Sequence, residues 1–421
     1  MQMVQVVESF VRPSLMSGAG RHIVDAHGIH MRFADDRDAL CVTSGLWNVP
    51  FGYGNPTVAE SMERPLHSLH YGTLFRYSNE YADCAARLLV RAVGDSYETV
   101  IFGTSGSALN DAAVKFARQR AVLQGEVAKR LIVTFKGSYH GMTLSSMALS
   151  GEQLGQAAFA VDTRYVRHLS LDDPEEWDYF FSISGNQVAL VMLEPMLGSG
   201  VFEPSEAVLA KITELHEKYD FLLMADEVAT GFYKLGTFAA CMQWPCMPDM
   251  IGFSKALTNG AAASSMLVIS RDAWSVFAKH DCPFMHGETQ AGSPLSAAAT
   301  IGVFEYLEHC GIEQRVSHVS ESITSICMDL AEHFRLVHRG RGLFHFLGWG
   351  DDSWWSSAWH DCVGGPIWRV VDLFRECGVI VQPSERGIQL IPQVVTSDDE
   401  MQKIKQSFFA AFERLERFQS W

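Results

Sequence analysis

Residues 221–260 read FLLMADEVATGFYKLGTFAACMQWPCMPDMIGFSKALTNG. The apolar run Phe221-Leu222-Leu223-Met224-Ala225 predicts a buried strand, with Asp226 and Glu227 at its carboxyl end. In a parallel α/β sheet, ligands are held at that end. A second apolar piece, Met250-Ile251-Gly252-Phe253, runs into Ser254-Lys255 and then Ala256-Leu257-Thr258-Asn259-Gly260. Two strand ends therefore deliver one carboxylate and one lysine. Taken alone, such a pair also reads as a surface salt bridge, so the surroundings decide.

Upstream, Val100-Ile101-Phe102-Gly103 predicts a strand that enters Thr104-Ser105-Gly106-Ser107-Ala108-Leu109-Asn110 and a helix to about Leu123. A strand, a turn of small residues and a helix N-terminus make an anion site, because free N–H groups and the helix dipole both favour a phosphate. A plain capped helix is the alternative. Arg130–Phe135 is another buried strand, and it ends at Lys136-Gly137-Ser138-Tyr139-His140-Gly141. Gln187–Leu193 is a further one and ends at Glu194-Pro195, with a glycine-bearing loop behind it. Residues 150–185 are weakly patterned and read as an insertion between strands.

DEVATGFYKLGTFA and PDMIGFSKALTNG resemble the DEV-x-TGF-G-R-x-G-x-F and PD-x5-K-x4-G signature of class III (ω-) aminotransferases, which are fold-type I pyridoxal-phosphate enzymes. Four further stretches are similar to family motifs: Thr43-Ser44-Gly45-Leu46-Trp47-Asn48, the Ser105–Arg118 helix entry, Tyr139-His140-Gly141, and His286–Leu295. Ala108 and Leu109 depart from the Glu-Ala of the helix-entry motif without removing a phosphate donor. The resemblance covers nearly the whole chain. It implies an α/β fold: a large domain (56–305) with a mostly parallel central sheet flanked by helices, and a smaller α+β domain built from 1–55 and 306–421.

The resemblance also assigns roles. Lys255 forms a Schiff base with pyridoxal 5'-phosphate and shuttles protons, while Asp226 keeps the pyridine nitrogen protonated. Tyr139 stacks on the ring and Val228 packs on the opposite face. Gly106 and Ser107 hold the phosphate. Thr289 reaches the phosphate of a partner subunit, which implies a homodimer with shared sites. Trp47, which also reads as a core aromatic, joins Glu194, Gln382 and Arg386 around the substrate. In many relatives an arginine stands where this chain has Gln382, and Arg386 lies four residues on. Either the carboxylate clamp is missing or Arg386 supplies it.

Composition narrows the partners. The 421-residue chain is 48% hydrophobic and 19% charged, with a formal net charge of −16. That balance argues against nucleic-acid binding, which needs a basic footprint, and against an anionic membrane surface. The nine cysteines are scattered. Cys241 and Cys246 lack a second pair or a nearby histidine, so no metal site is expected. Neither a signal-peptide pattern nor a bilayer-length apolar run stands out, so the expectation is a cytoplasmic protein. The expected activity is transfer of an amino group between an amine or amino acid and a ketone, aldehyde or keto acid, in a biosynthetic pathway. Two alternatives stay open. One is tailoring of the oxidised C-terminus of a daptide-type ribosomal peptide; the other is an aminomutase, racemase or decarboxylase of the same fold.

Overall fold

The computed structural model describes residues 6–11, 13–16, 18–350, 366–384 and 386–419. It divides into two compact units, one of residues 56–311 and one of 1–55 with 312–421.

The larger unit is built on a seven-stranded sheet. Its strands are β4 (Tyr97–Gly103), β5 (Leu131–Phe135), β6 (Val166–Leu169), β7 (Val188–Leu193), β8 (Leu222–Asp226), β9 (Met250–Phe253) and β10 (Ser265–Ser270), the numbers β1 to β3 belonging to the other unit. Their spatial order is β4-β10-β9-β8-β7-β5-β6. β6, β5, β7, β8 and β9 are mutually parallel, and β10 alone runs antiparallel to both its neighbours. β7 and β8 are buried along their whole lengths, as strands covered on both faces must be. Alternation then sorts their side chains. Leu190, Met192, Leu222 and Met224 pack with Leu109, Ala113 and Phe116 of the Gly106–Leu123 helix. Val191, Leu193 and Leu223 pack with Trp177 and Phe181 of the Pro174–Ser184 helix and with Val208, Ile212 and Leu215 of the Glu206–Tyr219 helix.

Two features differ from the sequence reading. Residues 150–185, weakly patterned and read as an insertion between strands, carry a strand of the sheet itself, β6, and the Pro174–Ser184 helix. β6 escaped notice because an edge strand with Arg167 and His168 at its centre has no apolar run. β4 begins at Tyr97, three residues earlier than expected, for the same reason.

The smaller unit has two four-stranded sheets. One holds β1 (Ile23–His27), β2 (His30–Phe33), β3 (Asp38–Cys41) and β13 (Val379–Ile380) in the order β1-β2-β3-β13. The other holds β11 (Val337–Arg341), β12 (Phe344–Gly348), β14 (Gln382–Ser384) and β15 (Gly387–Leu390) in the order β11-β12-β15-β14. Its long helices among the described residues are Ile312–Phe334, Pro366–Glu376 and Asp398–Gln419. No described helix is long and apolar enough to cross a membrane.

Candidate functional site

The site starts at the carboxyl end of β8, where Asp226 is buried among three donors. Asp226 Oδ2 accepts from Asn110 Nδ2 at 2.9 Å and from His140 Nδ1 at 2.8 Å. Oδ1 accepts from the Val228 N–H at 3.1 Å. Asn110 comes from the Gly106–Leu123 helix and also donates to the His140 carbonyl at 2.8 Å. It thereby fixes the turn that carries the imidazole. Burial alone would push the His140 pKa down. The hydrogen bond and charge of Asp226 outweigh it, helped by Glu194, and the net shift is upward. Asp226 thus has an oxygen aimed by two neighbours, one of them an imidazole whose charged form it favours.

Lys255 follows β9 in a single 3-10 turn, with a left-handed φ of 49°. For a residue with a Cβ this conformation costs roughly 1–2 kcal/mol, and such strain gathers at functional positions. Burial pulls its ammonium down to about 8, while Asp226 and then Glu194 oppose the fall. An amine so placed is readily deprotonated near neutral pH.

Glu194, at the end of β7, is 2% exposed. Its Oε1 accepts from the Tyr139 N–H at 2.8 Å and its Oε2 from the Gly198 N–H at 3.1 Å. Burial still dominates and raises its carboxyl to about 7. A carboxyl raised on folding contributes stability that is full below its unfolded pKa and is lost as pH rises through the folded one. The window is therefore pH 4.5 to about 7, and the loss is roughly 3 kcal/mol at about 1.36 kcal/mol per unit. Glu194→Gln should remove that slope and leave only a pH-independent offset, since the amide must turn its NH2 toward one of the two N–H donors. Urea midpoints from pH 5 to 8 check this. Parallel slopes in wild type and variant would contradict it.

The Gly106–Leu123 helix begins beside these groups. Ser105 caps it, its hydroxyl accepting from the Ala108 N–H at 3.2 Å. The Gly106 and Ser107 N–H groups have no carbonyl four residues back to take them. A Cβ on Gly106 would stand 2.9 Å from Val228 Cγ1, so only glycine lets the helix start come this close to Val228. Ser107 Oγ accepts from the Met142 N–H at 3.2 Å, which packs the helix start on the Tyr139–Met142 turn. Nearby, Thr104 donates its N–H to Glu288 Oε1 at 3.1 Å and its hydroxyl to the same carboxylate.

Asp226, Lys255, Glu194, Tyr139, Val228, Gly106 and Ser107 thus gather around the sheet's carboxyl edge. Thr289 lies exposed on a separate loop of the same unit, its carbonyl accepting from the Tyr71 hydroxyl at 3.0 Å. Trp47, Gln382 and Arg386 belong to the smaller unit. There Ser44, Gly45, Leu46 and Trp47 all have φ between 45° and 65°, one left-handed turn, and the Trp47 ring lies 6.0 Å from Phe344. Gln382 opens β14, and Arg386 stands at a left-handed φ of 66° in the turn before β15.

Sequence reasoning missed the holders of Asp226. His140 is 86 positions away in the chain, and only its place at a strand end hinted at the pairing. It also missed Lys234. This lysine is 1% exposed, donates to the Gly231 carbonyl at 2.6 Å and is pulled down to about 7 by burial and by the charge of Lys255, against Glu227. A lysine where the family signature has arginine was the available signal.

The family description "Aminotransferase class-III" matches residues 17–412. The chain belongs to the class III aminotransferases. It is 27% identical to a "Probable aminotransferase" of Mycobacterium tuberculosis, over 92% of this chain and 89% of that one. It is 24% identical to an omega-aminotransferase of Caulobacter vibrioides, over 91% of each. Its fold matches that of a PMP-bound aminotransferase from Vibrio fluvialis with a TM-score of 0.87 and 20% identity, covering 98% of this chain and 96% of that one. Class III aminotransferases depend on pyridoxal phosphate. The residues of this aminotransferase fit that group. Asp226 Oδ1 accepts from the Val228 N–H and keeps a lone pair for a protonated ring nitrogen. The glycine start of the helix offers N–H groups to a phosphate, and Lys255 offers an amine.

Proposed function

We propose that Lys255 carries the cofactor and that Asp226, Tyr139, Val228, Gly106 and Ser107 hold it, in an aminotransferase that acts in the cytoplasm on small biosynthetic substrates. Pyridoxal phosphate, once bound, supplies an aldehyde that takes up amino groups and a ring that serves as an electron sink. The chain's own residues do the rest. Asp226 would hold a proton on the ring nitrogen, since Asn110 and His140 keep its Oδ2 engaged and leave Oδ1 for that contact. Lys255 Nζ takes a proton from the substrate carbon and returns it, a task suited to an amine whose pKa lies near 8. Tyr139 and Val228 confine the ring, and the helix start takes the phosphate. The observation that carries this reading is Asp226, hydrogen-bonded to buried His140 and Asn110, sharing its sheet edge with a strained, half-buried lysine.

The homodimer rests on the surface around Thr289. Leu69, Tyr71, Phe75, Tyr77 and Met285 are all exposed. Phe75 lies so close to Gly287 that a Cβ there would meet its ring at 2.8 Å. An apolar face of this kind suits a second copy of the chain, with Thr289 of the partner subunit reaching the phosphate. Mixed Lys255→Ala and Thr289→Ala subunits should regain part of the activity that each lacks. A fully active monomer would refute the shared site.

Substrate preference turns on Gln382. Its amide offers neutral donors where an arginine would offer a charged, bidentate fork. A charge-assisted hydrogen bond is worth about 1.5–3 kcal/mol, or roughly 10- to 100-fold in affinity. The expected result is that wild type favours a neutral ketone or aldehyde over the matching α-keto acid, and that Gln382→Arg reverses the preference by about that factor. Selective loss of keto-acid turnover in Arg386→Ala would mean that Arg386 does the clamping, and the neutral-substrate reading would fail.

A further inference from the structure

The smaller unit holds a constellation that transamination does not use. Cys327 Sγ and one ring nitrogen each of His338 and His345 lie within 4.8 Å of one another. Cys327 and His345 are buried, and His338 is half-buried. Cys327 and His338 lie outside the motifs that carry the family resemblance, and His345 lies in the strand Phe344–Gly348.

The arrangement has a local cause. In the antiparallel pair β11–β12, His345 stands opposite Gly340 and His338 opposite Leu347, so the two histidines are diagonal neighbours on one face. A Cβ on Gly340 would fall 2.4 Å from His345 Nδ1. The glycine therefore leaves the space into which the imidazole leans. The two rings stack at 5.3 Å, with His338 Nε2 3.0 Å from His345 Nδ1. The Ile312–Phe334 helix packs on both strands and brings Cys327 to the same place.

Hydrogen bonding fixes the tautomers. His345 Nε2 lies 3.0 Å from the Gly342 carbonyl, which only accepts, so Nε2 carries the hydrogen. Nδ1 then carries no hydrogen and turns its lone pair toward His338 Nε2, 3.0 Å away. A metal-bound histidine has this same pattern, its second nitrogen donating to a backbone carbonyl that sets tautomer and ring direction.

We infer that Cys327, His338 and His345 form a binding site for a transition-metal ion of the zinc class, held by one thiolate and two imidazoles. Ligand bonds of about 2.0–2.1 Å to nitrogen and about 2.3 Å to sulfur place tetrahedral ligand atoms roughly 3.3–3.6 Å apart. The 3.0 Å nitrogen pair need open by only a few tenths of an ångström to admit the ion. On binding, the metal–sulfur bond replaces the S–H bond of Cys327, and that proton goes to solvent. The His338 hydrogen moves from Nε2 to Nδ1, with no net loss from the ring. Two nitrogens and a sulfur select zinc or copper over magnesium or calcium. Water completes the fourth position from the side of half-buried His338.

The test uses untagged, cofactor-loaded enzyme, stripped with a chelator, incubated with Zn2+ and freed of excess by gel filtration. About one zinc per chain should remain. Zn2+ should raise the melting temperature by mass action, and Co2+ should give a thiolate charge-transfer band. Cys327→Ser should abolish the band, and both Cys327→Ser and His338→Gln should weaken zinc binding by at least about 100-fold, the upper end of what an outer-sphere change costs. His338→Gln, half-buried on an edge strand, should keep the metal-free melting temperature and so separates lost ligation from lost fold. No retained zinc, equal retention in both variants, or a cobalt band that survives Cys327→Ser would overturn the inference.

Discussion

Lys255→Ala should lower transamination by at least about 10⁴-fold, because positioned proton transfer alone contributes about 10²- to 10⁴-fold and the covalent attachment of the cofactor goes with it. The fold should survive. Alanine meets the same left-handed φ of 49° as lysine and removes a buried amine whose charged form burial disfavours. Initial rates with an amine donor and a carbonyl acceptor, beside a melting curve, check both halves. Turnover within tenfold of wild type would place the chemistry elsewhere.

Asp226→Asn should cost about 10²- to 10³-fold in kcat, the usual price of removing one fixed charge or donor aimed at a reacting group. The neutral amide cannot keep a ring nitrogen cationic. It also disturbs its own supports. Asn110 Nδ2 and His140 Nδ1 both donate to Oδ2, and the Val228 N–H donates to Oδ1. An amide has one accepting oxygen, so either orientation turns an NH2 toward a donor. The upward shift of His140 loses its main cause at the same time. The pH profile of kcat should therefore change with its magnitude. A variant with normal kcat and an unchanged profile would mean that another group holds the ring nitrogen.

The parts legible in the sequence were those that burial writes in consecutive residues. β7 and β8 are covered on both faces and so read as unbroken apolar runs that end at Glu194 and at Asp226. The helix after β4 runs from Gly106 to Leu123, as its small-residue start suggested. β6 was illegible because an edge strand can keep Arg167 and His168 at its centre. The pairing of Asp226 with His140 and Asn110 was illegible for a different reason. It joins three elements far apart in the chain, and no local pattern encodes such a contact. Tyr233 shows a third kind of limit. It takes a left-handed φ of 66° where the family signature has glycine, so the motif's backbone persists where its residue does not.

We propose Lys255, rather than its buried neighbour Lys234, as the attachment lysine. Lys234 has the lower pKa, about 7 against about 8, so ease of deprotonation alone would favour it. Geometry favours Lys255. Lys234 is tied to the Gly231 carbonyl and feels Glu227, whereas Lys255 feels Asp226 and Glu194 at the carboxyl ends of β8 and β7. Borohydride reduction of the yellow enzyme, followed by digestion and mass spectrometry of the peptides, reads the answer directly. The cofactor's mass should appear on the peptide carrying Lys255 and vanish in Lys255→Ala. The same mass on Lys234, or on no lysine, would rule out Lys255 as the attachment site.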